Sequence, residues 1–221
     1  MPLEQGDLLQ VNEIDTTLIG GIVLCGGRST RMGRPKLSLP FGHESMLERV
    51  VRILADVVSP IVVVAAADQE LPPLPADILI ARDDQPALGP LAGLRVGLST
   101  LRTRVVAAYA TACDAPLLRP EFARAMIELL GDHDMAIPRD GAYHHPLASV
   151  YRTSLADTIG SLIAAGRMRP LFLLDECDAR VVDVDELRRV DPRLDSLRNT
   201  NTEEEYLAAL RDAGIAAGDA G

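Results

Sequence analysis

The chain has no tryptophan, and only three phenylalanines and four tyrosines among 221 residues. A surface that stacks bare nucleic-acid bases interleaves aromatic rings with cations, so this composition argues against a DNA or RNA platform. Positive charge is also scarce: 22 Lys plus Arg stand against 32 Asp plus Glu, a net charge of −10. Nucleic-acid binders show the opposite balance. The three cysteines, Cys25, Cys113 and Cys177, are odd in number and lack C-x-x-C spacing. Neither a disulfide framework nor a zinc cluster is expected from them, and reduced, partly buried thiols are.

No stretch is apolar enough for long enough to span a bilayer, and residues 1–17 are acidic and polar where a signal peptide would be apolar. The expectation is a cytoplasmic protein without membrane or nucleic-acid partners. No Gly/Ser linker divides the chain, and a hydrophobic fraction of 48% is ample for a sizeable core. One domain is expected over 18–212, after a polar extension at 1–17 and before a flexible tail at 213–221.

Positive charge is gathered in one place. After the apolar run Ile22-Val23-Leu24 come Cys25, the pair Gly26-Gly27, and then Arg28, Arg31, Arg34 and Lys36 with no acid among them. Without those four cations, 18 basic residues would face 32 acidic ones, so an acidic protein has concentrated cations at one loop. Glycines after a strand let backbone N–H groups close on phosphate oxygens, and the cations neutralise what the amides orient. Neither G-x-x-x-x-G-K-[ST] nor G-x-G-x-x-G is present, which excludes the two commonest phosphate loops. The competing reading is a glycine-rich turn with solvated charges.

Beyond this loop, short apolar runs alternate with helical segments, the pattern of an α/β protein with a mostly parallel sheet covered on both faces. Strands are expected at 21–24, 61–65, 78–80 and 104–112, and helices at 44–57, from Pro90 onward, and at 121–130 with a left-handed cap at Gly131. In the second half, strands are expected at 134–138, 146–151 and 180–184, and helices at 155–165 and 171–176. A last helix begins after Thr202, where Thr202 and Glu205 form a capping box.

Several residues fall where an α/β sheet presents its ligands, beyond the carboxyl ends of the strands. Asp114 follows the strand ending at Ala112 and is suited to Mg2+, which bridges one or two carboxylates to substrate phosphates. A turn aspartate before the next helix is the alternative. Ala92, Gly93 and Gly97 give one helix a face of small residues, fit either for a flat nucleobase or for close packing. His144 and His145 are adjacent, and adjacent strand residues point to opposite faces, so a shared metal is disfavoured.

The segment Leu24 to Lys36 resembles the nucleotidyltransferase signature L-x-G-G-x-S-x-R-M-G-x-x-K, and its Gly-Gly form is most similar to the molybdenum cofactor guanylyltransferase (MobA) family. Cys25 departs from the usual alanine. Four further motifs fit the family: Gly-Pro-Leu-Ala-Gly at 89–93, Cys113-Asp114-Ala115-Pro116, His145-Pro146-Leu147, and Asn199-Thr200-Asn201-Thr202. The resemblance implies a Rossmann-like three-layer nucleotidyltransferase fold. The implied reaction is transfer of GMP from GTP to the terminal phosphate of a molybdopterin-type cofactor, with pyrophosphate leaving and molybdoenzyme maturation proteins as further partners.

It also implies residue roles. Leu24, Cys25, Gly26, Gly27, Lys36, Asp83 and Asp114 would bind the nucleotide, with Asp84 an alternative to Asp83. Arg31, Lys36 and Asp114 would be catalytic, and Asp114 would hold Mg2+. The small face of the helix after Gly89 would take the base, and the asparagines and His145 would face the acceptor. The family asparagine after the second strand is replaced by Ala65-Ala66-Ala67, with Asp68 or Gln69 as candidate substitutes. Alternatives are a cytidylyltransferase for the same cofactor, a sugar-phosphate nucleotidyltransferase, and a nucleotide-binding carrier without turnover.

Overall fold

A computed structural model describes residues 19–25, 36–85 and 88–216. Gly26, Gly27 and Arg31, expected at the nucleotide, therefore lie outside the described residues. Strand β1 (Ile19–Leu24) is buried along its whole length. It starts two residues before the expected point because Ile19 and Gly20 pair with Ala107 and Ala108.

The short hairpin β2 (Pro40–Phe41) and β3 (Glu44–Ser45) precedes helix α1 (Met46–Ala55). The helix starts at Met46 rather than Glu44 because Ser45 caps it. Its hydroxyl accepts the Glu48 N–H at 3.3 Å while the Glu48 carboxylate accepts the Ser45 N–H at 2.7 Å. Strand β4 (Ile61–Ala66) matches expectation closely. Strand β5 (Leu79–Asp83) runs further than its apolar residues alone suggest, since Arg82 and Asp83 continue the ladder opposite Ala65 and Ala66.

Helix α2 (Pro90–Leu101) places proline in its first turn and buries Leu91, Leu94, Leu98 and Leu101. Strand β6 (Ala107–Ala112) begins later than expected because the Arg104 and Val105 N–H groups turn back to the Leu101 carbonyl. Helix α3 (Pro120–Leu130) ends at Gly131, whose φ of 49° and ψ of −132° are open to glycine but lie outside the left-handed helical well expected for its cap.

The second half contains β7 (Met135–Asp140), β8 (Tyr143–His144), β9 (Ala148–Arg152) and α4 (Leu155–Ala164). A 3-10 helix at Pro170–Asp175 leads to β10 (Ala179–Asp183), α5 (Val184–Leu187) and α6 (Glu203–Asp212).

The main sheet has the order β10-β7-β9-β6-β1-β4-β5, with β8 attached to β7. β9 runs antiparallel to both β6 and β7, whereas β4, β5 and β6 join β1 in parallel, and β10 pairs parallel with β7. Alternate side chains feed two cores, as strand geometry requires. Val23, Val63 and Tyr109 pack with α1 and α3 on one face, and Ile22, Val62 and Ala110 pack with α2 and α4 on the other. The protein is thus a three-layer α/β fold about a largely parallel sheet.

On the second face, a Cβ on Gly97 would lie 2.7 Å from Ile22 Cγ2, and one on Gly93 would lie 3.4 Å from Leu24 Cδ2. These glycines let α2 approach β1. Close packing accounts for Gly97.

Candidate active site

Because β1, β4, β5 and β6 are parallel, their carboxyl ends open on one edge of the sheet. Cys25, Asp83 and Asp114 therefore come from different strands to the same side. Lys36 joins them from a short 3-10 helix, Lys36–Ser38, anchored by buried Leu37.

Lys36 Nζ lies 3.1 Å from Asp114 Oδ2 and donates to Asn201 Oδ1 at 2.8 Å. The side chains of Lys36 and Asp114 are 18% and 14% exposed, so the pair is less screened than a surface ion pair. Asp114 is not a helix cap: Arg119 holds that position for α3.

Asn201 arrives from the far end of the chain. Its N–H and that of Thr202 donate to Glu205 Oε2 at 2.6 and 2.9 Å, within the capping box of α6. One residue earlier, the Thr200 N–H donates to the Asp114 carbonyl at 2.9 Å. The cap that starts α6 thus also delivers the partner of Lys36. The repeated asparagines had pointed to the acceptor side; the bond from Lys36 to Asn201 had no local signal, because the two are 165 positions apart.

Leu24 and Cys25 lie buried at the end of β1. Cys113 donates its backbone N–H to the Leu24 carbonyl at 3.0 Å, carrying the β1–β6 ladder one residue further. A hydrogen bond with Cys25 and burial push the Cys113 thiol well above its ordinary range, and the Cys25 and Asp114 charges add to the shift while Lys36 opposes it.

At the end of β5, Asp83 is buried and Oδ1 accepts the Gln85 N–H at 2.8 Å, whereas Asp84 is exposed. Both border an open cleft of about 370 Å3 that also includes Arg82, Ala92, Arg95 and Ser99. Nearby, Gln69 Oε1 accepts the Ala66 N–H at 3.2 Å, and Arg82 donates to the carbonyls of Ala66 and Gln69. Gln69 therefore closes the end of β4 where the family asparagine is missing.

A second cleft, about 210 Å3, lies among His144, His145, Leu147, Ser196 and Asn199. His145 Nε2 is buried and has no hydrogen-bond partner among the described residues. Burial lowers the pKa of this imidazole, the Asp140 charge opposes that, and His144 reinforces it. The neutral ring is thus favoured. Its backbone is held on three sides: the His145 N–H donates to the Pro138 carbonyl, and the His145 carbonyl accepts from the Ala148 N–H and from Ser149 Oγ.

Lys36 and Asp114 border neither cleft, so their mutual contact, rather than a cavity, locates them. Among the described residues no cluster of three or more His, Cys, Asp or Glu is placed to hold a metal. The single Asp114 carboxylate suits a hard ion that draws its remaining ligands from water and phosphate. Among the described residues, no helix is long and apolar enough to cross a membrane.

Residues 21–180 match the MobA-like NTP transferase domain. A Mycobacterium tuberculosis protein named probable molybdenum cofactor guanylyltransferase is 40% identical over 179 residues, covering 77% of this chain and 87% of that one. A Mycobacterium avium protein of the same name is 39% identical over 205 residues, covering 90% of this chain and 98% of its own. Among solved structures, molybdopterin-guanine dinucleotide biosynthesis protein A from Archaeoglobus fulgidus superposes with a TM-score of 0.72 at 24% identity, over 88% of this chain and 98% of that one. At that identity the superposition speaks for the fold, and the domain match and the two relatives carry the assignment: the chain belongs to the MobA-like NTP transferase family and is a nucleotidyltransferase.

Proposed function

We propose that this nucleotidyltransferase moves GMP from GTP to the terminal phosphate of a molybdopterin-type cofactor. The observation that carries the reading is the cluster of Lys36, Asp114 and Asn201 at the sheet edge that follows the Gly26-Gly27 loop, in a chain about 40% identical to proteins named guanylyltransferases.

In this reading an acceptor phosphate oxygen attacks the α-phosphorus of GTP, the bond from that phosphorus to the β-phosphate bridging oxygen breaks, and pyrophosphate leaves. The acceptor is already an anion, so no strong base is required. The chain's task is to hold two anions together and to meet the charge that builds on the phosphoryl oxygens. Lys36 supplies a point charge, and Arg31 is suited to grip two oxygens at once. Asn201 keeps the Lys36 ammonium aimed at this edge. The amides of Gly26 and Gly27 orient phosphate oxygens, Leu24 and Cys25 lie beneath the nucleotide, and Asp83 shapes its wall. Asp114 would hold Mg2+, which supplies charge neutralisation at the reacting and leaving phosphates. His145 and Asn199 face the acceptor.

The test is calorimetric binding of GTP, CTP, ATP and UTP in the presence of Mg2+, repeated with Asp114→Ala. Selective GTP binding, weakened about tenfold or more in the variant, is the expected outcome. Preference for CTP would transfer the activity to cytidylyl transfer, and no nucleotide binding would remove the transferase reading of this site.

A further inference from the structure

We propose that Cys25 and Cys113 are a redox pair whose oxidation to a disulfide by a peroxide switches the nucleotide site off. The inference rests on the proposed function only for its activity readout.

The pairing follows from the sheet. β1 and β6 are parallel and in register through Leu24 and Ala112, and the bond from the Cys113 N–H to the Leu24 carbonyl extends that register to the next residues. Adjacent strands lie about 4.8 Å apart, inside the range of about 4.4–6.8 Å between Cα atoms that a disulfide spans. Paired residues of parallel strands point to the same face, and both cysteines belong to the core on the α1 and α3 side. Both residues are buried there, with Cys25 1% and Cys113 6% exposed. Cys177 packs against the opposite core and donates its thiol to the Leu173 carbonyl at 3.1 Å, so it does not compete.

The position gives the bond a consequence. Cys25 directly precedes the Gly26-Gly27 pair, and Cys113 directly precedes Asp114. Asp114, the neighbour of Cys113, keeps 14% of its side chain exposed, while the cysteines themselves are buried, so the oxidant must be as small as hydrogen peroxide.

In the first step, one cysteine gives up its thiol proton and its thiolate sulfur attacks a peroxide oxygen; the O–O bond breaks, and the departing hydroxide takes up that proton and leaves as water, giving a sulfenic acid. The second sulfur then attacks the first, the S–O bond breaks, and a second water carries away the remaining thiol proton. Two thiols lose two electrons and two protons, and the peroxide gains them. A bridge between directly paired strands departs from relaxed disulfide geometry, which makes it readily reducible. Closing it draws the two sulfurs to about 2.05 Å, which reorients Cys113 and, through it, the adjoining Asp114 beside Lys36. Misplacement of a reacting group by about 1 Å can cost about a hundredfold in rate.

The experiment treats the full chain with hydrogen peroxide, alkylates the free thiols, and maps peptides without reduction, with GTP binding and GMP transfer measured before and after. The expected result is a mass lower by two hydrogens, a cross-linked peptide joining Cys25 to Cys113, about a hundredfold loss of transfer, and recovery with dithiothreitol. Cys113→Ala is expected to keep its turnover and to resist the loss. If that variant does not fold, the peptide map of the natural sequence decides alone. Oxygen added to either cysteine without a cross-link, a cross-link through Cys177, or a cross-link with unchanged transfer overturns the proposal. Reduced protein that binds no GTP overturns the guanylyl-transfer reading instead, and the map still decides the disulfide.

Discussion

The two halves of the sheet are built by different means. In the main sheet β1, β4, β5 and β6 run parallel and are tied by a regular backbone ladder, with β1, β4 and β6 nearly continuous in apolar or small residues. From β7 onward the direction reverses at β9, and side chains take over much of the bonding to the backbone. Tyr151 donates to the Pro146 carbonyl, Arg152 to the carbonyls of Gly131 and His133, and Thr153 to that of Val105. Buried Asp191 accepts the N–H groups of Asp195 and Ser196, shaping the turn that leads to the asparagines. A ladder needs only pattern and register and presents a uniform edge. Side-chain ties let the chain follow irregular paths. The ion pair of Lys36 and Asp114 belongs to the first half, and Asn201 reaches it from the second.

The largest expected effect breaks the chemistry and spares both halves. Lys36→Ala should lower the rate constant for GMP transfer by about a hundredfold to a thousandfold, with an unchanged circular dichroism spectrum; an unchanged rate would make Lys36 a surface cation only. Next, Asp191→Ala should strip two N–H groups of their shared acceptor. We expect a loss of about 3 kcal/mol in urea unfolding, and hydrogen exchange faster around 194–201 than in β1 and β4. Uniform exchange would erase the contrast between the halves.

Gly97→Ala tests the first half by the opposite means, overfilling. The new Cβ meets Ile22, and a cost of about 1–3 kcal/mol is expected; a neutral result would show that α2 can move off β1. The smallest effect concerns His145. Its pKa is lowered in the folded state, so the folded chain binds fewer protons there than the unfolded chain. The stability this contributes is present above the unfolded value, about 6.5, and is lost as pH falls through that value toward the folded one. Urea midpoints for the natural sequence should drop more between about pH 7 and about pH 5 than those of His145→Gln; identical pH profiles would remove His145 from this account.

Much of the first half was legible because its signals are local. The alternation into two cores and Pro90 at the start of α2 each involve residues within a few positions, as does, in the second half, the capping box at Thr202 and Glu205. Boundaries were missed where a neighbour extends or interrupts a strand: Arg82 and Asp83 look like a turn until β4 pairs with them, and β6 yields its first residues to a turn after α2. At the site, Lys36 and Asp114 were legible as motif residues. The face of Ala92, Gly93 and Gly97 stayed open between a base and close packing because a small residue looks alike whether a ligand or a strand approaches it; the structure shows the tight approach at Gly97, while Ala92 borders the cleft beside Asp83. Only the 2.7 Å approach to Ile22 separates the two.

The sequence by itself determined the layer architecture and the placing of Asp114 beyond a strand, since hydrophobic period, glycine and proline usage and charge act over short stretches of chain. The tertiary structure alone decided that β9 runs against its neighbours, that Asn201 rather than a nearer residue holds Lys36, and that Cys25 and Cys113 end adjacent strands in one core. Each of these depends on which segments lie side by side, and that is settled by burial of both sheet faces at once, a condition on the whole chain that no short stretch can express.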